Sequence, residues 1–240
     1  MIQKTRAIVL HQLKYSETSI IATLYTEAFG RLPCMINGIR SSKSKQKIGL
    51  IQPLFLLEAE IYYKPGRDVQ NLKEFCLGKV YHSIPFDVAK STMAMFLSEV
   101  LYKVLRNEEP DPVLFEFILH SVYYFDSMEN GAANFHLWFL VKLLDFLGFR
   151  IDNNTNNGSW FNMKAGSYTL FRPSLPNTPD LEESALLADL IDKNADNFHQ
   201  LSISGNKRTR LLEILIDYYS LHIDGMGTIN SLKVMKEIYH

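Results

Sequence analysis

"TSIIATLYTEAFGRLPCMINGIR", residues 18–40, decides the fold class. Its first nine residues mix β-branched and aromatic side chains, which crowd a helix but lie well on a pleated strand. Gly30 interrupts the run, a second apolar run follows, and Gly38 interrupts that. Glycines at such intervals mark turns between short strands. Working outward, residues 5–13, 50–63 and 69–80 have the same make-up, and Pro65-Gly66 separates the last two. Proline cannot donate to a ladder, so the strand in 50–63 bends or begins at Pro53. The reading is five strands at 5–13, 18–26, 32–39, 50–63 and 69–80, with no helix between Thr18 and Tyr63. A small closed barrel of OB type fits that count, and an SH3-like barrel is the rival.

From Pro85 the apolar period becomes helical. In 87–105, Met93, Phe96, Leu97, Val100, Leu101 and Val104 mark one face. Asp111-Pro112 supplies an N-cap with proline at the first helical position. A third helix over 133–147 stops at Gly148, a natural C-cap. Residues 149–176, with Asn153, Asn154, Asn156 and Asn157, form an irregular excursion. Thr178-Pro179 opens another helix, where Asp180, Glu182 and Glu183 favour its dipole. Helices over 207–223 and 231–239 follow. The fold class is α+β: an N-terminal five-stranded OB-type β-barrel over 1–80, then an all-α helical domain over 81–240 with its excursion near 150–176.

Hydrophobic residues make up 47% of the chain and charged residues 21%, which is globular composition. The net charge of −1 hides an asymmetry. Lys and Arg outnumber Asp and Glu by 11 to 6 up to Phe75, and are outnumbered 14 to 20 after it. Such a split points to an anionic partner for the first part. Cys34 and Cys76 lie in apolar runs without CxxC spacing and read as reduced, buried thiols. The apolar stretch at the start is too short for a signal peptide, and the run at 135–149 is broken by Lys142 and Asp145. The expected location is cytoplasmic. The glycosylation patterns at Asn153 and Asn157 then carry no meaning.

Catalytic signatures are missing: the sequence has no GxSxG, HExxH or GxGxxG. GIRSSKS lacks the glycine that precedes the lysine of a phosphate loop, because Ser42 stands there. The seven histidines are scattered, without metal-ligand spacing. Glu108, Glu109 and Asp111 read as loop charges, and Glu182 and Glu183 as first-turn acids. No enzyme, metal or cofactor is expected.

What remains is a basic segment. No acid occurs over residues 28–57, while Arg31, Arg40, Lys43, Lys45 and Lys47 do. A solvated loop is one reading. The other is a phosphate-contacting loop at the edge of a barrel, with serines as small donors and Tyr15, Phe29, Tyr62 and Tyr63 as possible stacking faces. A second cluster, Lys207, Arg208 and Arg210, opens a helix against its dipole, and a partner for that charge would explain it.

The series AIVL (7–10), YSETSIIATLYTEAFGRL (15–32), NGIRSSKSK (37–45) and LIQPLFLLEAEIYY (50–63) resembles the N-terminal domain of the bacterial RecO family. FHLWFLVKLLDFLGFRI (135–151), KRTRLLEILIDYYSLHI (207–223) and INSLKVMKEI (229–238) are similar to its helical part. The resemblance spans nearly the whole chain. Many members carry paired CxxC motifs for zinc after the Gly-aromatic turn. Here Asn154, Asn157 and Gly158 stand in those positions and no cysteine follows. Amides do not replace thiolates as structural zinc ligands, so packing by Trp160, Phe161 and Tyr168 is expected to hold the excursion.

The resemblance implies a non-catalytic recombination mediator in DNA repair. It implies binding to single- and double-stranded DNA, annealing of complementary strands, and help in loading recombinase. It also implies two protein partners, RecR and the acidic, apolar C-terminal tail of the single-stranded DNA-binding protein. On that footing Arg40, Lys43, Lys45 and Lys47 are the DNA-backbone contacts, Arg6 and Arg31 extend the path, and Lys207, Arg208 and Arg210 are candidates for the tail. The competing reading is an adaptor whose basic loop docks an acidic protein without touching DNA.

Overall fold

The computed structural model describes residues 1–40, 45–106, 109–154 and 158–238, apart from the side chains of residues 45 and 46. Five strands, β1 (Ile2–Lys14), β2 (Ile20–Thr26), β3 (Gly30–Ile36), β4 (Leu56–Tyr62) and β5 (Gln70–Leu77), close into a barrel in the order β1-β2-β3-β5-β4. Four ladders are antiparallel. The fifth, between β3 and β5, is parallel and consists of two residue pairs, Cys34 with Gln70 and Met35 with Asn71.

The barrel core follows the period-2 pattern. Ala7, Val9, Ile20, Ala22, Leu24, Leu32, Cys34, Ile36, Leu57, Ala59, Ile61 and Leu72 pack inside it. Cys34 is buried, and burial pushes its thiol pKa up to about 12. Cys76 departs from the sequence expectation: it is exposed, because its register with Glu58 puts it on the outer face of β5. Pro53 leads into a bend, and β4 begins three residues later than the proline, at Leu56. Leu54 adopts a left-handed conformation there (φ 63°), held by its N–H donating to the Val9 carbonyl at 2.9 Å.

One expectation for this region fails. A single helical turn, α1 (Lys45–Ile48), lies between β3 and β4. Four residues are too few to show a period, and Ile48 packs against the barrel core, so tertiary contact rather than propensity makes the turn.

Two helices cover part of the barrel. α2 (Val88–Val104) is capped by Asp87, which accepts from the Lys90 N–H at 3.0 Å. α3 (Pro112–Ser127) is capped by Asp111, which accepts from Val113 and Leu114 N–H groups. A register shift between Val9 and His11 re-aims β1, and Ser98 on α2 donates to the Leu10 carbonyl. Tyr25 of β2 stacks on Phe115 of α3 at 6.1 Å. The Asp126 carboxylate accepts from the backbone N–H groups of His82, Ser83 and Ile84 at 2.8–2.9 Å, tying the segment before α2 to the end of α3. Compact packing accordingly divides the chain at 1–127 and 128–240, later than the strand-to-helix change near residue 80.

In the second unit α4 (Phe135–Leu147) ends at Gly148 in the left-handed region (φ 79°). α5 (Leu181–Ile191) starts with a full capping box between Asp180 and Glu183, both bonds 2.8 Å. α6 (Gly205–His222) and α7 (Leu232–Ile238) complete it. The excursion contains a small hairpin, β6 (Trp160–Asn162) and β7 (Ser167–Thr169). Phe161 is buried against Tyr168 and Tyr218, and the Phe161 N–H donates to Ser184 Oγ at 3.0 Å. Gly166 sits where a Cβ would come within 2.5 Å of the Tyr218 hydroxyl, so only glycine fits. Asn157 of the sequence reading lies outside the described residues, as do Glu108 and Tyr239. Among the described residues, no helix is long and apolar enough to cross a membrane.

Candidate nucleic-acid interface

The barrel's cations fall into two groups. The first is committed to the protein itself. Arg6 forks onto Glu27, with Nε to Oε2 at 2.8 Å and Nη2 to Oε1 at 2.6 Å, and also pairs with Glu116. The guanidinium lies 5.2 Å from the Phe115 ring centroid. The hydrogen bond to Glu27 raises the Arg6 pKa, and in return holds Glu27 below the usual carboxylate range. Arg31 reaches the end of α2, where Nη1 donates to the Tyr102 and Leu105 carbonyls at 2.8 and 3.0 Å, with its plane over Tyr102. It satisfies orphan carbonyls of that helix end. Lys4 and Lys73 share Glu60, and Lys79 sits over the Tyr123 ring. Arg6 and Arg31 are thus structural bonds as the molecule stands, a role that their sequence neighbourhood did not reveal.

The second group has no carboxylate partner among the described residues. It comprises Lys14, Arg40, Lys47, Lys64 and Arg67. Lys14 ends β1 and begins the turn into β2. Arg40 follows Gly38, which is left-handed (φ 69°) and turns the chain out of β3. The Arg40 N–H donates to the Thr18 carbonyl at 3.0 Å, and Nη1 donates to the Ser16 carbonyl at 3.2 Å, so this segment is fastened to the β1–β2 turn. Lys47 is exposed on α1. Lys64 and Arg67 lie in the β4–β5 loop, which Gln70 shapes by accepting from the Lys64 N–H and donating to the Lys64 and Arg67 carbonyls, each at 2.9 Å. The β1–β2 and β4–β5 loops are where OB folds hold nucleic acid.

Lys43 lies outside the described residues, as does the Lys45 side chain. Lys14, Lys64 and Arg67 were not singled out in the sequence because each stands alone, and only barrel closure brings them to the β1–β2 and β4–β5 loops. Of the aromatic candidates, Phe29 and Tyr63 stack on each other at 4.3 Å against the barrel core, while Tyr15 and Tyr62 are exposed.

The second cluster has its partners within the chain. Lys207 pairs with Glu182, and Arg210 donates to Glu183 at 2.8 Å. Arg208 turns aside to Asn134 Oδ1 at 2.9 Å and the Ile203 carbonyl at 2.8 Å. Lys207 and Arg210, with Glu182, Glu183, Leu186 and Leu211, line a groove of about 180 Å³ between the starts of α5 and α6. The acids that complement the dipole of α5 therefore also neutralise the start of α6.

Residues 1–80 match the family model described as Recombination protein O N terminal, and residues 85–231 match Recombination protein O C terminal. The chain is 37% identical to a DNA repair protein RecO of Bacteroides fragilis and 35% identical to that of Phocaeicola vulgatus, in both cases over the full length of each chain. It is 32% identical, again over both full lengths, to that of Porphyromonas gingivalis. With an OB-type barrel, a helical part and matches end to end, the chain belongs to the RecO family of DNA repair proteins and has a recombination-mediator role in DNA repair.

Proposed function

We propose that this protein binds DNA through its barrel, anneals complementary strands, and helps load recombinase onto single-stranded DNA. It acts by binding, without catalysis or a cofactor, in the cytoplasm at the nucleoid. The observation that carries this reading is the sorting of cations. Lys4, Arg6, Arg31, Lys73 and Lys79 are held by the chain's own acids, helix-end carbonyls or rings. Lys14, Arg40, Lys47, Lys64 and Arg67 have no carboxylate partner among the described residues and stand on the two loops and the segment after β3, Arg40 with one guanidinium nitrogen on the exposed Ser16 carbonyl. Arg40 leads, because its planar guanidinium can engage a phosphate at two points. Lys43, Lys45 and Lys47 add point charge.

RecR and the acidic, apolar tail of the single-stranded DNA-binding protein are the protein partners. The groove between α5 and α6 suits the tail, with Leu186 and Leu211 for its apolar end and Lys207 and Arg210 for its carboxylates. Arg208 is left as a structural residue.

The test is fluorescence anisotropy with single-stranded and duplex oligonucleotides at four or more salt concentrations, followed by an annealing assay with complementary strands. Log affinity that falls linearly with log salt, together with accelerated annealing, supports the reading. A protein that binds an acidic peptide but neither form of DNA is instead an adaptor.

A further inference from the structure

We infer that Tyr15 is a base-stacking platform at the tip of the β1–β2 turn, and that it makes the barrel prefer single-stranded over duplex DNA. This rests on the DNA-binding reading above and names the form of DNA that its surface selects.

The turn is rigid where the chain runs and bare where the ring stands. The Tyr15 and Ser16 N–H groups both donate to the Ser19 carbonyl, at 3.1 and 3.2 Å, and the Ser19 N–H donates to Ser16 Oγ at 3.2 Å. Arg40 clamps the same turn through the Thr18 and Ser16 carbonyls. Yet residues 11–18 are all exposed, with Leu13 at 58% and Tyr15 at 63%. Leu13 is the last residue but one of β1 and Tyr15 directly follows the strand end, so two exposed apolar side chains lie close together in the chain. Phe29 and Tyr63 shield each other, and Tyr25 is covered by Phe115; the Tyr15 ring makes no ring contact among the described residues. An aromatic face held out on a fixed backbone loses little freedom when a flat partner covers it.

The neighbours say what that partner is. Arg40 holds the carbonyl of Ser16, the residue after Tyr15, and Lys14 precedes Tyr15 in the chain. Neither has a carboxylate partner among the described residues, so cationic groups and a flat apolar face belong to one turn. Those suit the two parts of an unpaired nucleotide. Glu17 stands in the same turn and offsets part of that positive charge, which makes the ring the turn's uncharged contribution. A duplex keeps its bases stacked on one another and offers the ring no face.

The experiment uses the full chain and variants Tyr15→Ala and Tyr15→Phe, with a fluorescein-labelled mixed-sequence single strand and the corresponding duplex, each titrated at several salt concentrations. For Tyr15→Ala the single-strand affinity should fall by about tenfold, in the range for loss of one stacked base. Duplex affinity should change by less than about twofold, and the slope of log affinity against log salt should stay the same, since no phosphate contact is removed. Tyr15→Phe should keep wild-type affinity. Thermal melts confirm that both variants are folded. Equal losses on single strand and duplex, or no loss in Tyr15→Ala while wild type binds, overturn the stacking role and leave DNA binding intact. Wild type that binds neither form overturns both.

Discussion

Arg210 donates through Nε to Glu183 Oε1 at 2.8 Å, and Glu183 is at the same time the return arm of the capping box that starts α5. One carboxylate thus serves two helix ends. The bond to Glu183 raises the Arg210 pKa and makes a basic start to α6 tolerable.

The neighbouring pair, Lys207 with Glu182, is exposed and sits in the groove assigned to an acidic tail. The Glu182 carboxylate competes there with an incoming one. Glu182→Gln should tighten binding of an acidic, apolar peptide by about two- to fivefold, the value of one exposed charge pair. Lys207→Glu with Arg210→Glu should weaken it. Calorimetric titration of both variants decides; unchanged affinity in each would place the tail elsewhere.

Arg6 and Arg40 should behave oppositely. Arg6→Ala strands Glu27 and Glu116 and should lower stability by about 1–2 kcal/mol, while the salt slope of DNA binding is unchanged. Arg40→Ala should leave stability within about 0.5 kcal/mol and flatten the single-strand salt slope by about 0.7. Alanine at Arg40, Lys43, Lys45 and Lys47 together should flatten it by about 3. Urea melts and salt-dependent anisotropy measure the two properties separately.

Asp126 should set part of the acid sensitivity. Burial pushes its pKa up, but the N–H groups of Ile84, His82 and Ser83, with the Ser83 hydroxyl, outweigh burial and hold it below the usual range. A carboxyl depressed in the folded state adds stability above its unfolded pKa of about 3.9, and that stability is lost as pH falls through the lower folded value. Asp126→Asn should cost about 1–3 kcal/mol at neutral pH, because whichever way the amide is turned its NH2 faces at least one backbone N–H donor. The variant should also lose this share of the pH dependence, which denaturant melts between pH 7 and pH 3 would show.

A fragment of residues 1–127 should fold alone, and 1–80 should not. Ile8, Leu10 and Tyr25 are buried, and Phe115 of α3 covers Tyr25, a partner that the shorter fragment lacks. Two-dimensional NMR spectra of the two fragments distinguish them: dispersed peaks from 1–80 would show that the barrel needs no cover.

The strands, the helical faces and the caps at Asp111 and Gly148 were legible because period and capping act over a few residues. By contrast, α5 starts at Leu181 with Asp180 as its cap and not at Thr178-Pro179, because the Asp180–Glu183 capping box fixes the start. The barrel cations were not. Arg6 finds Glu116 at a separation of 110 residues, and Arg31 finds the end of α2 at 71 and 74. Basic residues look alike in a sequence; their partners, fixed by closure of the barrel and docking of α2 and α3, separate structural from available charge. The three-residue strands β6 and β7 and the single turn α1 were too short to carry a period, and contacts of Phe161 and Ile48 hold them.

The barrel is sewn along four long ladders and basted along one. β3 and β5 meet at only two residue pairs, while every other neighbouring pair of strands runs for six or more. Breathing of the sheet therefore starts at that seam. Amide protons in β5 beyond Asn71 on the β3 side should exchange with solvent long before those of β1 and β2, and mechanical load would part the cylinder there into a curved, still-paired ribbon of β3-β2-β1-β4-β5.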